Sequence, residues 1–73
     1  MVRSRAVPAA DALTEREMAV LRLLRGTLSL REIGKELYVS PNTIKTHSQA
    51  IYRKLGVSTR HDAVAHARDI GIL

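Results

Sequence analysis

The sequence predicts an all-α fold, a bundle of four short helices that contains a helix-turn-helix. A helix-start signal recurs three times along the chain, and glycine follows three of the four predicted helices. No run alternates β-branched or aromatic residues with polar ones, as a half-buried β-strand would. The chain has 73 residues, enough for one small domain whose modest core requires efficient local structure.

The first predicted helix begins at a capping box. Thr14 takes the N-cap position, and Glu17 lies three residues later, where each side chain can satisfy a free N–H group of the first turn. Leu13, just before the cap, is placed to contact Met18. We expect this helix to run to about Arg25. Its buried residues are predicted to be Val20, Leu21 and Leu24.

The second predicted helix, about residues 30–37, has the same start signal in Ser29 and Glu32. Only the three residues 38–40 separate it from the next helix, which is the spacing of a helix-turn-helix. Gly34 lies inside the helix, where glycine costs about 1 kcal/mol relative to alanine. We therefore expect close approach of the third helix at Gly34, with a tolerated weak spot as the alternative.

The third helix is predicted to begin after Ser40, with Pro41 in the first position, where its missing N–H costs nothing. It runs to Leu55, and Gly56 follows in a position suited to a left-handed turn. The fourth helix starts near residue 59 or 60 and ends near residue 70. Its predicted apolar face consists of Ala63, Val64, Ala67 and Ile70.

Composition narrows the classes of function. The net charge is +5 and the chain has no cysteine, so it offers neither a disulfide framework nor a thiolate metal site. Residues 1–12 lack a sustained hydrophobic periodicity and are predicted to be a flexible linker or tail. Residues 13–73 are predicted to form the domain. We expect a cytoplasmic location and no membrane span, cofactor or metal, because no segment carries the corresponding signals.

The positive charge is concentrated in the middle of the chain. No acidic residue occurs between Leu37 and His61. The basic residues of this stretch are Lys45, Arg53, Lys54 and Arg60. Basic domains often bind nucleic acid, although composition alone fits an ordinary solvated face equally well. Two tyrosines are the only aromatic residues, which favours duplex DNA over single strands, since single strands require stacking platforms.

The third helix divides into two faces at about 100° per residue. The core stripe is predicted to be Ile44, Ile51 and Leu55, with Ser48 beside it. The opposite face has neither an acidic nor a large apolar residue. On it we expect Lys45, Thr46 and Gln49 to read base edges, because they lie in the early turns that recognition helices present to DNA.

Other residues of the same helix are predicted to contact DNA phosphates. Arg53 lies farther along the helix than the base-reading residues. Ser40, Asn42 and Thr43 lie at the helix start, where free N–H groups and the positive end of the dipole favour an anion. Capping alone explains Ser40, so its phosphate role is an addition to that structural role.

Taken together, the motifs resemble the LuxR/GerE-type helix-turn-helix family over residues 13–73. The resemblance rests on Leu13-Thr14-x-Arg16-Glu17, Ser29-x-x-Glu32-Ile33, Leu37-x-Val39-Ser40, Thr43-Ile44-Lys45-Thr46-His47, Lys54-Leu55 and Gly71-Ile72-Leu73. It implies a DNA-binding domain of bacterial transcription regulators, with the third helix in the major groove. The family usually has alanine where this chain has Gly34. Residues 37–43 look like the branch with large ATP-binding sensor regions, as in maltose-regulon activators.

The resemblance also implies partners. The expected partner is double-stranded DNA, and the Lys45, Thr46 and Gln49 positions correspond to those that face bases in the family. Two copies are expected to form a homodimer on DNA through the fourth helix. The predicted pairing residues are Val64, Ala67 and Ile70. An upstream sensor domain is expected if the natural protein is longer.

Three alternatives compete with this interpretation. Region 4 of a sigma factor shares the pattern of the first three helices, but a fragment of it would not need a fourth helix ending in Gly-Ile-Leu. A helix-turn-helix used only for protein contacts would not need an acid-free third helix. An enzyme is the least favoured alternative, because a lone four-helix unit has no pocket to activate a nucleophile.

Overall fold

The computed structural model describes residues 13–73 and confirms the all-α prediction. It contains four helices: α1 (Glu15–Leu24), α2 (Leu30–Leu37), α3 (Pro41–Leu55) and α4 (Arg60–Asp69). No strand occurs among the described residues. The linker or tail predicted for residues 1–12 lies outside them. None of the described helices is long and apolar enough to cross a membrane.

Both predicted capping boxes form. The Thr14 hydroxyl accepts the Glu17 N–H at 3.1 Å, and the Thr14 N–H donates to Glu17 Oε1 at 2.9 Å. Ser29 and Glu32 make the equivalent pair of bonds at 3.1 and 2.8 Å. An N-cap residue contributes about 1 kcal/mol to helix stability. These local bonds fix where α1 and α2 begin.

The remaining helix ends follow from the same rules. Ser40 caps α3, and Thr59 caps α4 by accepting the Asp62 N–H at 3.0 Å. Gly56 ends α3 with a φ of 71°, which confirms the predicted left-handed position. The first helix ends one residue earlier than expected, with Arg25 as its C-cap.

Helix α3 lies at the centre of the bundle and packs against each of the other three helices. The core consists of one cluster of buried apolar side chains: Leu13, Val20, Leu21, Leu24, Ile33, Ile44, Ile51, Leu55, Ala63 and Ala67. Burying each large aliphatic side chain contributes about 1.5–3 kcal/mol. Because these side chains surround one face of α3, its other face is left to solvent.

The turn between α2 and α3 explains Gly34. A Cβ atom on Gly34 would lie 2.7 Å from the Val39 carbonyl oxygen and 3.5 Å from Ile44 Cγ1. The predicted close approach is therefore confirmed, although the backbone of the turn makes the closest contact. Tyr38 has a φ of 60°, in the left-handed region that costs a non-glycine residue free energy. Its N–H and that of Val39 reach the Gly34 carbonyl, which closes the turn tightly.

An ion pair joins α3 to the start of α1. Lys54 Nζ donates to Glu17 Oε1 at 2.7 Å, the same oxygen that accepts the Thr14 N–H. The Glu17 side chain is only 7% exposed. Burial by itself raises the pKa of Glu17, but the bonds from Lys54 and Thr14 and the Lys54 charge outweigh it, so the pKa is lowered below its ordinary 4.5. The carboxylate is therefore held ionised at neutral pH.

The domain is expected to lose stability as the pH falls below 4.5, the ordinary pKa of Glu17. Because the folded pKa is the lower one, this contribution is fully present above the unfolded pKa and disappears as the pH falls through the folded pKa. Urea unfolding at several pH values measures it. Glu17→Gln should cost about 1–2 kcal/mol at neutral pH and flatten the acid profile. An unchanged profile in this variant would contradict the assignment.

Arg60 ties α4 to the end of α1. Its Nε donates to the Leu24 carbonyl at 2.8 Å, and its Nη2 donates to the Gly26 carbonyl at 3.1 Å. The last carbonyl groups of a helix have no hydrogen-bond partner inside the helix. A cation near them also interacts favourably with the negative end of the helix dipole. Arg60 therefore fixes the position of α4 against the core.

Candidate nucleic-acid interface

The two predicted faces of α3 are confirmed by burial. Ile44, Ser48, Ile51 and Leu55 are buried, and the Ser48 hydroxyl has no hydrogen-bond partner among the described residues. The exposed side carries Asn42, Lys45, Thr46, Gln49 and Arg53. The structure thus brings the three predicted base-reading residues and two of the predicted phosphate residues onto one solvent-facing surface, which we call the α3 face.

One α3-face side chain is partly committed to its own helix. Thr46 Oγ1 donates to the Asn42 carbonyl at 3.1 Å, as threonine often does one turn along a helix. Its hydroxyl hydrogen is therefore already used in this bond, whereas the methyl group of this exposed residue remains available. The group that Thr46 can offer to a base edge is the methyl.

The start of α3 uses most of its own donors. The Ser40 hydroxyl accepts the Thr43 N–H at 3.1 Å and shares a hydrogen with Thr43 Oγ1 at 2.9 Å. The Ser40 carbonyl accepts the Ile44 N–H, and Pro41 has no N–H. The Asn42 N–H is the backbone donor left at this end within the described part of the chain. One hydrogen of the Ser40–Thr43 hydroxyl pair is also left.

The four basic residues of the acid-free stretch play two different roles. Lys54 is paired with Glu17, and Arg60 is bonded to the carbonyls at the end of α1. Of these four residues, only Lys45 and Arg53 are exposed and lack such a partner within residues 13–73. Two of the four positive charges in this stretch thus hold helices of the domain together.

A second basic surface lies next to the start of α3. Arg31 and Lys35 of α2 line a shallow groove with Tyr38, Ser40 and Pro41. Both cations are exposed, and Tyr38 is 94% exposed. The sequence interpretation missed these residues because Arg31 and Lys35 precede the acid-free stretch. Their spacing of four residues, which puts both on one side of α2, is the signal that could have found them.

The predicted pairing surface on α4 needs a correction. Ala67 is 0% exposed, because its side chain packs into the core of its own chain, so it offers nothing to a second copy. Val64 is half-buried, and Ile70 is 42% exposed. At about 100° per residue, Val64 and Ile70 lie about 120° apart, on opposite sides of Ala67. The three residues therefore do not form one continuous patch.

Comparison with known proteins places this arrangement in a family. Residues 11–67 match the family described as GerE, bacterial regulatory proteins, luxR family. The chain is 50% identical over 66 residues to the probable transcriptional regulatory protein NarL of Mycobacterium tuberculosis strain CDC 1551 / Oshkosh. It matches the NarL protein of strain ATCC 25618 / H37Rv equally. Each match covers 90% of this chain and 31% of the relative.

The chain thus spans about a third of the length of these curated relatives. The names of these relatives do not mention an ATP-binding sensor region. The branch with such sensor regions therefore stays a prediction. The family match confirms the predicted resemblance, and for residues 11–67 it supports a DNA-binding regulatory domain and not an enzyme. The chain belongs to the luxR family of bacterial regulatory proteins.

Proposed function

We propose that residues 13–73 bind double-stranded DNA in a sequence-specific manner as the output domain of a bacterial transcription regulator. The observation that carries the proposal is the α3 face, a solvent-facing surface with two cations and no acidic residue on the second helix of a helix-turn-helix. With 15 residues, α3 is about 22 Å long, and the major groove, about 12 Å wide, accepts an α-helix.

Base reading is assigned to Lys45, Thr46 and Gln49. Lysine donates to the N7 and O6 acceptors of guanine, and the glutamine amide suits the paired donor and acceptor of adenine. The Thr46 hydroxyl is bonded to the Asn42 carbonyl, so its methyl group is assigned to apolar contact with a thymine methyl. Each well-placed contact contributes about 1–3 kcal/mol of discrimination against a wrong base.

Phosphate contacts are assigned to Arg53 and to the start of α3. The Asn42 backbone N–H, the Asn42 side-chain amide and the remaining hydroxyl hydrogen of Ser40 or Thr43 can donate there. The groove of Arg31, Lys35 and Tyr38 continues this surface onto α2. In helix-turn-helix proteins the first helix crosses the DNA backbone, so we assign these cations to a phosphate as well.

The charges at Arg53 and Lys54 are expected to act differently although the residues are adjacent. Arg53→Gln should weaken binding to every duplex and reduce the slope of log affinity against log salt by about 1, because one phosphate contact is lost. Lys54→Gln removes the same charge but can still donate to Glu17, so it should leave the slope nearly unchanged. Fluorescence anisotropy over a salt series measures both. Equal slopes for the two variants would contradict the assignment.

We further propose that two copies pair on DNA through α4, with half-sites about 10 bp apart. Ile70 is the predicted pairing residue with the most exposed surface. A sensor domain upstream, within a cytoplasmic regulator, is part of the same proposal, and the greater length of the relatives supports it.

Ile70→Glu is expected to lower the cooperativity of two copies on a palindromic duplex about tenfold, roughly 1.4 kcal/mol, because it puts a charge in an apolar contact. Ala65→Glu is the matched control, since Ala65 is exposed on α4 outside the predicted pairing residues. Sedimentation on palindromic and half-site duplexes measures the effect. Wild-type cooperativity in Ile70→Glu would exclude Ile70 from the pairing surface.

A further inference from the structure

Tyr38 combines a costly backbone conformation with an exposed side chain. Its φ of 60° lies in the left-handed region, where a bulky side chain costs free energy and glycine costs little. The side chain is 94% exposed and is not part of the core cluster, so burial does not offset that cost. A strained residue that the packing does not require is a candidate for a functional contact.

The turn between α2 and α3 accounts for this backbone conformation but not for the tyrosine. The Val39 N–H donates to the Gly34 carbonyl at 2.9 Å, and this bond closes the turn with Tyr38 at the C-cap of α2. Backbone bonds of this kind do not depend on the side chain, and glycine or asparagine would form them at lower cost. The reason for a tyrosine at this position therefore lies in what its side chain contacts.

The Tyr38 side chain lines the shallow groove between α2 and the start of α3, which we call the α2–α3 groove. Arg31, Lys35 and Tyr38 occur at positions i, i+4 and i+7, along one side of α2 and its C-cap. Ser40 and Pro41 line the groove from the start of α3, and none of its lining residues is acidic. The tyrosine hydroxyl therefore lies on a surface whose charges attract an anion.

Free donors lie beside the groove at the start of α3. The Ser40–Thr43 hydroxyl pair keeps one free hydrogen, and the Asn42 N–H has no partner within residues 13–73. An anion in the groove would meet the cations of α2 on one side and these donors on the other. When α3 occupies the major groove, the first helix of a helix-turn-helix crosses the DNA backbone, so the anion at this place is a phosphate.

We propose that Tyr38 anchors the turn of the helix-turn-helix to the DNA backbone. Its hydroxyl group donates to a phosphate that lies in the α2–α3 groove, and its ring lies against the adjoining deoxyribose. A contact made from the turn holds both helices of the motif in register with the duplex, because phosphate contacts fix position and orientation. The inference rests on the proposed function and deepens it, since it gives an uncharged side chain and the strained turn a role in DNA binding.

Fluorescence anisotropy with one duplex over a salt series tests this contact in Tyr38→Phe, which keeps the ring and loses only the hydroxyl. We expect about tenfold weaker binding, the effect of losing one hydrogen bond to a charged group. The slope of log affinity against log salt should stay unchanged, because an uncharged donor releases no counterions. Lys35→Gln is the matched control in the same groove and should reduce that slope by about 1.

Tyr38→Gly separates the DNA contact from the stability of the fold. Because glycine suits the left-handed position, its urea midpoint should be no lower than that of the wild type, while its affinity for the duplex falls at least as far as that of Tyr38→Phe. A lower midpoint would overturn the proposal, since the tyrosine would then serve stability. So would equal binding by the wild type and Tyr38→Phe, with the proposed function left standing. No binding of the wild type to any duplex would overturn both.

Discussion

Gly34→Val is expected to destabilise the domain by about 3 kcal/mol, the upper end of the range for forcing extra atoms into a packed interior. The Cβ atom alone would lie 2.7 Å from the Val39 carbonyl oxygen. That oxygen belongs to the backbone of the turn between α2 and α3, so it can move only if the turn opens. Because a domain this small has only a few kcal/mol of net stability, much of the population should unfold.

Two controls separate this clash from a general effect of replacing glycine. Gly34→Ala adds only the Cβ atom that meets the Val39 carbonyl oxygen, and alanine gains about 1 kcal/mol of helix propensity that offsets part of the clash, so we expect a smaller loss than for Gly34→Val. Gly26→Val tests an exposed glycine whose nearest contact for a Cβ atom is 3.6 Å away. Urea unfolding measures all three variants. If Gly34→Val were as stable as Gly26→Val, the tight turn would not determine the packing of α2 against α3.

Lys45→Ala and Gln49→Ala are each expected to lose about 1–3 kcal/mol of affinity for the preferred duplex and far less for random duplexes. Both side chains are exposed on the α3 face, so neither truncation disturbs the core. The loss should appear as relaxed specificity at one or two base positions for each variant.

Arg53→Ala is the control for these base-reading variants, because a phosphate contact carries no sequence information. It should weaken preferred and random duplexes by the same factor. Competition binding with both kinds of duplex gives the two losses side by side. If Lys45→Ala and Gln49→Ala behaved like Arg53→Ala, the assignment of base reading to these side chains would be wrong.

The fold could be predicted closely because its helix boundaries depend on local interactions. Thr14 with Glu17, and Ser29 with Glu32, are three residues apart, so the bonds that start α1 and α2 are visible in the sequence. Gly56 is a similar case, since a left-handed C-cap favours glycine at one position. The α3 face follows from helical periodicity within a single helix.

The parts that could not be predicted depend on residues far apart in the chain. Lys54 and Arg60 counted toward a basic surface, but their partners lie 37 and 36 residues away, across the bundle. Ala67 was placed on a pairing surface because an apolar residue of α4 could face either the core or a partner. Only the packing of α4 against the rest of the bundle shows that it faces the core.

Selection of random duplexes tests the central claim, that the α3 face reads the major groove, most directly. The wild-type chain, Lys45→Ala, Gln49→Ala and Arg53→Ala are each used to select preferred sequences from the same pool. We predict a defined site for the wild type, the same site for Arg53→Ala, and loss of preference at separate base positions for the other two. An identical preferred sequence from all four chains would contradict the claim.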